Sequence, residues 1–367
     1  MSGTLFPRHE DDLTAAWLTG TLRKAGVLAH ASVVSLQCGP LRNAAGITGH
    51  LVRLQLEYDE PEPRAPGALV AKFSAVHPDE RMLVHSMGFY EREARFYAEL
   101  APLTPIGTPR CLASEVDADS GESLILLEDL TTARNGSTVA GCSLDDARLA
   151  VEELARLHAR WWATPELDGR AWLRRRGLQS PERLADVFRS SWPVFLKRLD
   201  RRSDDLTPDA GEWVARHIEA LTVQLLTEPP LTLVHEDYNA DNMFFPRGSD
   251  PRRLVVADWQ LAEQGRGAID LSTFLGGNLD TELRRANEQG LLASYHDALV
   301  ANGVAGYSFG QLHDDYRRSM LLPAARLASA VGAHPGLVAD PKAFWNTVFP
   351  RYWSALRDLE VEERLSE

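Results

Sequence analysis

The stretch from Leu231 to Leu275, LTLVHEDYNADNMFFPRGSDPRRLVVADWQLAEQGRGAIDLSTFL, constrains this chain more than any other. One apolar run, Leu231 to Val234, leads into His235, Asp237 and Asn242. A second, Leu254 to Ala257, leads into Asp258. Both runs are short, β-branched in part and flanked by turn residues, so each predicts a buried strand. Pro246, Gly248, Ser249, Asp250 and Pro251 predict a turn between them. Two adjacent strands of this kind would deliver carboxylate and amide oxygens to the same end of a cleft.

Asp237 and Asn242 stand five positions apart on one loop, and Asp258 opens the loop after the next strand. Phosphoryl transfer from a nucleoside triphosphate uses such a set. One carboxylate orients the acceptor hydroxyl and takes its proton, while an amide oxygen and a second carboxylate hold Mg²⁺ against the phosphates. The bland alternative is three ordinary loop residues. His235 reads as a structural histidine.

The pattern H-x-D-x-x-x-x-N followed by strand and Asp resembles the catalytic core of the protein-kinase-like fold. HEDYNADN followed by VVADWQLAEQGRGAIDLSTFL resembles the aminoglycoside-phosphotransferase and choline-kinase group, and within it the ecdysteroid-kinase-like branch. Asp258-Trp259-Gln260 matches the Asp-Phe/Trp-Gln of that branch. Asp270 matches the structural aspartate after its metal loop. One departure is Glu236, where the family usually has glycine. That carboxylate would repel phosphate, favour a cationic acceptor, or point to solvent.

The resemblance implies an α+β, protein-kinase-like bilobal fold. Residues 1–130 would be a small antiparallel-sheet N-lobe that binds nucleotide and ends in a hinge. Residues 131–367 would be a larger, mainly helical C-lobe for catalysis and acceptor binding.

At 367 residues the chain is long enough for two cores. Its 39 basic against 52 acidic side chains leave a net charge of -13, which argues against nucleic acid or an anionic membrane as partner. Three cysteines, Cys38, Cys111 and Cys142, carry no CxxC spacing and predict neither disulfides nor zinc. No signal-like segment and no 18-residue apolar run occur, so the expectation is a soluble, cytoplasmic protein.

Along the chain, residues 11–25 predict a helix capped by Thr14 and stopped by Gly26. Val33–Leu36 and Leu51–Leu56 predict two strands, the second with clear alternation. Between them lies a glycine-containing loop whose backbone N–H groups would close over phosphates. Pro66 to Phe73 predicts a third strand that carries Lys72 among apolar residues. A buried lysine needs a partner. A helix from Ser86 to Leu100 offers Glu91 and Glu93, and the family pattern Glu-x-x-Phe-Tyr selects Glu93. The alternative is a solvated Lys72 on an edge strand. Ser123–Leu127 predicts a strand running into Glu128-Asp129-Leu130, which resembles the family's hinge. Thr131 to Gly141 reads as a linker. Leu144–Trp162 predicts a helix capped by Ser143 or Asp145, with His158 structural. Further helices are expected near Pro181–Leu199, Pro208–Leu226, Asp280–Asn302, Phe309–Val331 and Pro341–Arg364. Asp314, Asp315, Tyr316, Arg317 and Arg318 read as a solvated helix face, with acceptor lining as the alternative.

The mechanism implied is phosphorylation of a small-molecule hydroxyl from ATP (or GTP) with Mg²⁺, the nucleotide lying between the lobes. Arg42, Gly46, Thr48 and Gly49 would close over the phosphates, and backbone groups of Leu127 to Leu130, those of Glu128, Asp129 and Leu130 among them, would meet the adenine edge. Lys72, fixed by Glu93, would hold the α/β-phosphates. Asn242 and Asp258 would ligate the metal, and Asp237 would be the catalytic base. A sugar, amino-sugar or nucleoside antibiotic, or steroid-like acceptor is expected, and no oligomeric state can be read. A nucleotide-binding pseudokinase is disfavoured because every site residue is present. A protein kinase is disfavoured because no activation segment ending in Ala-Pro-Glu follows and the triplet is His-Glu-Asp.

Overall fold

The computed structural model describes residues 6–41, 49–174, 180–200, 206–247, 253–333 and 341–362. The chain forms two compact units, Met1–Leu103 with Thr108–Thr132, and Thr104–Gly107 with Ala133–Glu367.

The first unit is built on a five-stranded antiparallel sheet. Its strands are β1 (Val33–Pro40), β2 (His50–Tyr58), β3 (Ala68–Phe73), β4 (Cys111–Val116) and β5 (Ser123–Glu128), in the order β1-β2-β3-β5-β4. In β2, Val52, Leu54 and Leu56 are buried, so the sequence alternation is the pleat itself. Helix α1 (Ala15–Lys24) starts at Thr14, whose Oγ1 accepts from the Trp17 N–H at 3.1 Å. Its Leu18 and Leu22 pack with Leu54, Leu69, Leu124 and Leu126 into the core of the unit.

The single helix expected over 86–100 is broken. Helix α2 (Pro78–Ser86) ends before Gly88, which turns through φ 77°, and α3 (Phe89–Arg95) follows and widens into a π turn at Phe96–Leu100. A left-handed residue cannot continue an α-helix, and glycine adopts that conformation without strain.

The second unit is mainly helical. Two small sheets, β7 (Thr232–Val234) with β10 (Glu263–Gly265), and β6 (Arg134–Asn135), β8 (Met243–Phe245) and β9 (Val255–Val256), carry the loops of interest. The helices are α4 (Leu144–Arg160), α5 (Pro181–Arg198), α6 (Pro208–Thr227), α7 (Ala268–Asn278), α8 (Thr281–Ala301), α9 (Phe309–Ser319), α10 (Leu321–Ala333) and α11 (Pro341–Asp358). Ser143 is the cap of α4, its side chain accepting from Asp146 N.

Three expectations need correcting. The strands ending at Val234 and Val256 are not neighbours, since β7 pairs with β10 and β9 with β8. The stretch read as a linker contains β6, which pairs with β8, and the Gly136 N–H bonds the Met243 carbonyl. The helix expected over 309–331 is two. Pro323 has no N–H to give the Ser319 carbonyl and its ring crowds that group, so α9 stops and α10 starts anew.

Among the described residues no helix is long and apolar enough to cross a membrane. All three cysteines are free. Burial pushes the Cys111 and Cys142 thiols up to about 12, whereas Cys38 is exposed on β1. Thiolate is the reactive form. Iodoacetamide at pH 8 is therefore expected to label Cys38 first in the native protein and all three cysteines after denaturation, as intact mass would record. Equal rates at the three native sites would contradict this burial.

Candidate active site

Lys72 lies on β3, an interior strand between β2 and β5, which removes the edge-strand alternative. Its Nζ sits 2.7 Å from Glu93 Oε2 on α3, with the side chains 11% and 3% exposed. Glu91 instead faces Arg95 along the helix. Such a pair holds a cation in apolar surroundings in one geometry, because losing either partner strands a buried charge.

Arg42, Gly46 and Thr48 lie outside the described residues. Gly49 packs against β3, where a Cβ would come within 2.7 Å of the Phe73 carbonyl oxygen. At the other end of the sheet, the Glu128 N–H donates to the Arg110 carbonyl and its carboxylate accepts from Arg110 N at 2.9 Å. The Asp129 carboxylate is held by Arg53 at 2.7 Å and by Thr131 N at 2.8 Å. Burial alone would raise it, but these partners keep it below the ordinary aspartate value. Leu130 is buried. Both acids therefore have structural duties within the sheet unit.

In the helical unit, the loop after β7 brings Asp237 and Asn242 together. Asn242 Nδ2 donates to Asp237 Oδ2 and to the Asp237 carbonyl, both at 3.0 Å. Asn239 Nδ2 donates to Asp237 Oδ1 at 2.5 Å. Asp258 follows β9 and joins the same group, because the Ala257 N–H bonds the Asn242 carbonyl at 3.0 Å. Burial pushes the Asp237 carboxyl above its ordinary value. His235 opposes this, the Asp258 charge adds to it, and the Asn239 and Asn242 amides oppose it. Two carboxylates and an amide oxygen, with the acids repelling each other, form a hard-oxygen donor set suited to a divalent cation.

His235 is fully buried and ties the two loops together. Its Nε2 lies 3.0 Å from the Ala257 carbonyl, and its Nδ1 accepts from the Asp237 N–H at 3.2 Å. The tautomer protonated on Nε2 satisfies both contacts, so the structural reading of His235 holds.

Asp270, in the first turn of α7, clamps the loop from behind. It accepts the His235 and Glu236 N–H groups, each at 2.7 Å, and lies 3.3 Å from His158 Nε2. Asn278, at the end of the same helix, accepts from Ala240 N at 2.9 Å and donates to Asn239 Oδ1 at 3.0 Å. Sequence reading missed Asn239 and Asn278. Nothing local marks Asn278 for the loop, since its partners there lie 38 and 39 positions away.

Glu236 departs from all three readings offered for it. Its side chain is 3% exposed and paired with Arg326 of α10, so it supplies no open negative charge for a cationic acceptor. Its φ is 70°, and Asp258 has φ 64°. Left-handed backbone at a non-glycine residue is strained by roughly 1–3 kcal/mol and persists where surrounding structure enforces it.

Residues 314–318 also differ from the solvated face expected. Asp315 meets Arg266 at 2.7 Å and Tyr307 at 2.8 Å, Tyr316 donates to Glu288 at 2.6 Å, and Arg317 Nε donates to the Leu359 carbonyl at 2.8 Å.

The model of the ecdysteroid kinase-like family matches residues 44–303, well over half of the chain. This chain belongs to the ecdysteroid kinase-like family. It is thereby a member of a small-molecule kinase-like phosphotransferase group. No curated protein sequence matches it. Solved structures with the same fold include a choline kinase from Cryptosporidium parvum Iowa II (TM-score 0.57, 9% identity, 96% of this chain and 98% of that one covered). A candidate aminoglycoside phosphotransferase from Ralstonia eutropha JMP134 gives TM-score 0.55 and 16% identity over 96% and 98% of the two chains. Plasmodium vivax ethanolamine kinase gives 0.52 and 14% over 96% and 89%. At such identities these likenesses speak for the protein-kinase-like α+β fold alone.

Proposed function

We propose that this ecdysteroid kinase-like protein phosphorylates a hydroxyl group of a small molecule from Mg·ATP. The observation that carries the reading is the meeting of Asp237, Asn242 and Asp258, with the Asn242 amide 3.0 Å from Asp237 Oδ2. Bound ATP supplies the phosphoryl group, and Mg²⁺ supplies charge neutralisation. Asn242 and Asp258 hold the metal. Lys72, kept in place by Glu93, binds phosphate oxygens. Asp237 accepts a hydrogen bond from the acceptor hydroxyl and takes its proton during transfer. Asn239 and Asn242 aim the carboxylate, and Asp270 and Asn278 keep the loop in shape. Catalysis of this kind rests on positioning and preorganised charge.

Calorimetry tests the metal assignment. Asp258→Ala is expected to weaken Mg·ATP binding by at least the roughly 10–100-fold typical of losing even an outer-shell partner of a metal ligand, with a much smaller change for ATP in EDTA. Equal losses with and without Mg²⁺ would remove Asp258 from the metal. ADP release across a panel of sugars, amino-sugars, nucleosides and hydroxysteroids would then identify the acceptor class, and no stimulation by any hydroxylated compound would count against the reading as a whole.

A further inference from the structure

We propose that Glu236 and Arg326 form a positioning pair that sets the backbone of the catalytic loop at Asp237. This rests on the reading of Asp237 as catalytic base. Four observations carry it. Glu236 immediately precedes Asp237 and turns through φ 70°, a conformation suited to glycine. Its carboxylate is almost wholly buried and paired with Arg326, 90 positions later on α10. Its N–H is held by Asp270 at 2.7 Å, so the residue is gripped from two sides. Helix α10 is itself anchored on α5 and α11, which gives Arg326 a firm base.

The physical logic is a trade between two ways of making one turn. Glycine makes it by lacking a Cβ. Glutamate makes it only while something holds the side chain where the turn puts it, and a buried carboxylate stays there only beside a cation. Arg326 is that cation. The pair couples the shape of the loop, and hence the aim of Asp237, to α10. It follows that Arg326 is dispensable once residue 236 is glycine.

The test compares the wild type, Arg326→Met, Glu236→Gly and the double variant in the full chain. The first readout is amide hydrogen exchange over residues 235–242, and the second is ADP release from Mg·ATP with water as acceptor. Arg326→Met is expected to lower exchange protection there at least about tenfold. It is expected to lower ADP release similarly, with KM for Mg·ATP little changed. The double variant is expected to regain both to within about threefold of wild type, a coupling that independent sites do not show. Unchanged protection in Arg326→Met, or a double variant no better than Arg326→Met, overturns the proposal. If Arg326→Met alone does not fold, recovery of a folded protein by adding Glu236→Gly is the expected result, and a double variant that is also unfolded overturns it. If the wild type releases no ADP with water, the exchange pattern decides the pair, while the kinase reading is decided separately by ADP release across the panel of hydroxylated compounds.

Discussion

Asp237→Asn is expected to lower turnover about 10²–10⁴-fold, the usual contribution of a positioned general base. The substitution is nearly isosteric, and its one carbonyl oxygen can keep the contact with Asn242. It removes the ability to accept a proton, together with the oxygen that accepts from Asn239. Affinity for Mg·ATP is expected to stay within about threefold, less than 1 kcal/mol. A loss confined to turnover marks an interaction made in the transition state, whereas a rise in KM with turnover intact marks plain binding. The measurement is steady-state ADP release with whichever hydroxylated acceptor the panel selects. Turnover within tenfold of wild type would remove Asp237 from proton transfer. Because burial and Asp258 raise the Asp237 carboxyl, the free protein starts with a more basic carboxylate than an exposed aspartate. The kcat/KM for Mg·ATP, which reports the free protein, is therefore expected to fall on the acid side at a pH above the ordinary aspartate range.

Asp270→Ala is expected to have the largest effect on stability. The carboxylate is fully buried and receives two backbone N–H groups of the catalytic loop, from His235 and Glu236. Without it, both donors stay buried with no acceptor, at roughly 1–3 kcal/mol each, so about 2–6 kcal/mol in all. The melting temperature is expected to fall on the order of 10 °C. Asp270→Asn keeps one carbonyl acceptor and is expected to lose less. Differential scanning fluorimetry of the two variants checks the ranking. An alanine variant melting within about 2 °C of wild type would show that the clamp is not structural.

Much of the candidate site was legible in the chain, for local reasons. Lys72 stood out because a charge inside an apolar strand demands a partner, and Glu93 meets it at 2.7 Å. The acid and amide five positions apart implied one loop, and Asn242 does reach back to Asp237. Thr14 and Ser143 announced their helices by the cap each supplies. The breaks at Gly88 and Pro323 were visible as residues but were overridden by the apolar periodicity around them. The fate of the charged side chains was not legible. Glu236, Asp315 and Tyr316 looked free to face ligand or water, and each has partners in the fold.

By itself, then, the sequence indicated β1, β2, β3, β5, β7 and β9, most helices, the family and the side chains that make up the candidate site. These depend on periodicity, caps and short spacings, which act within a turn or a strand. Only the tertiary structure decided which strands pair around the loop, that Asp270 and Asn278 grip it, and that Glu236 is neutralised by Arg326. Those outcomes depend on groups 34 to 90 positions apart meeting in space. A carboxylate carries no local mark of the cation or N–H it will meet, because burial and partner are set together when the helices pack.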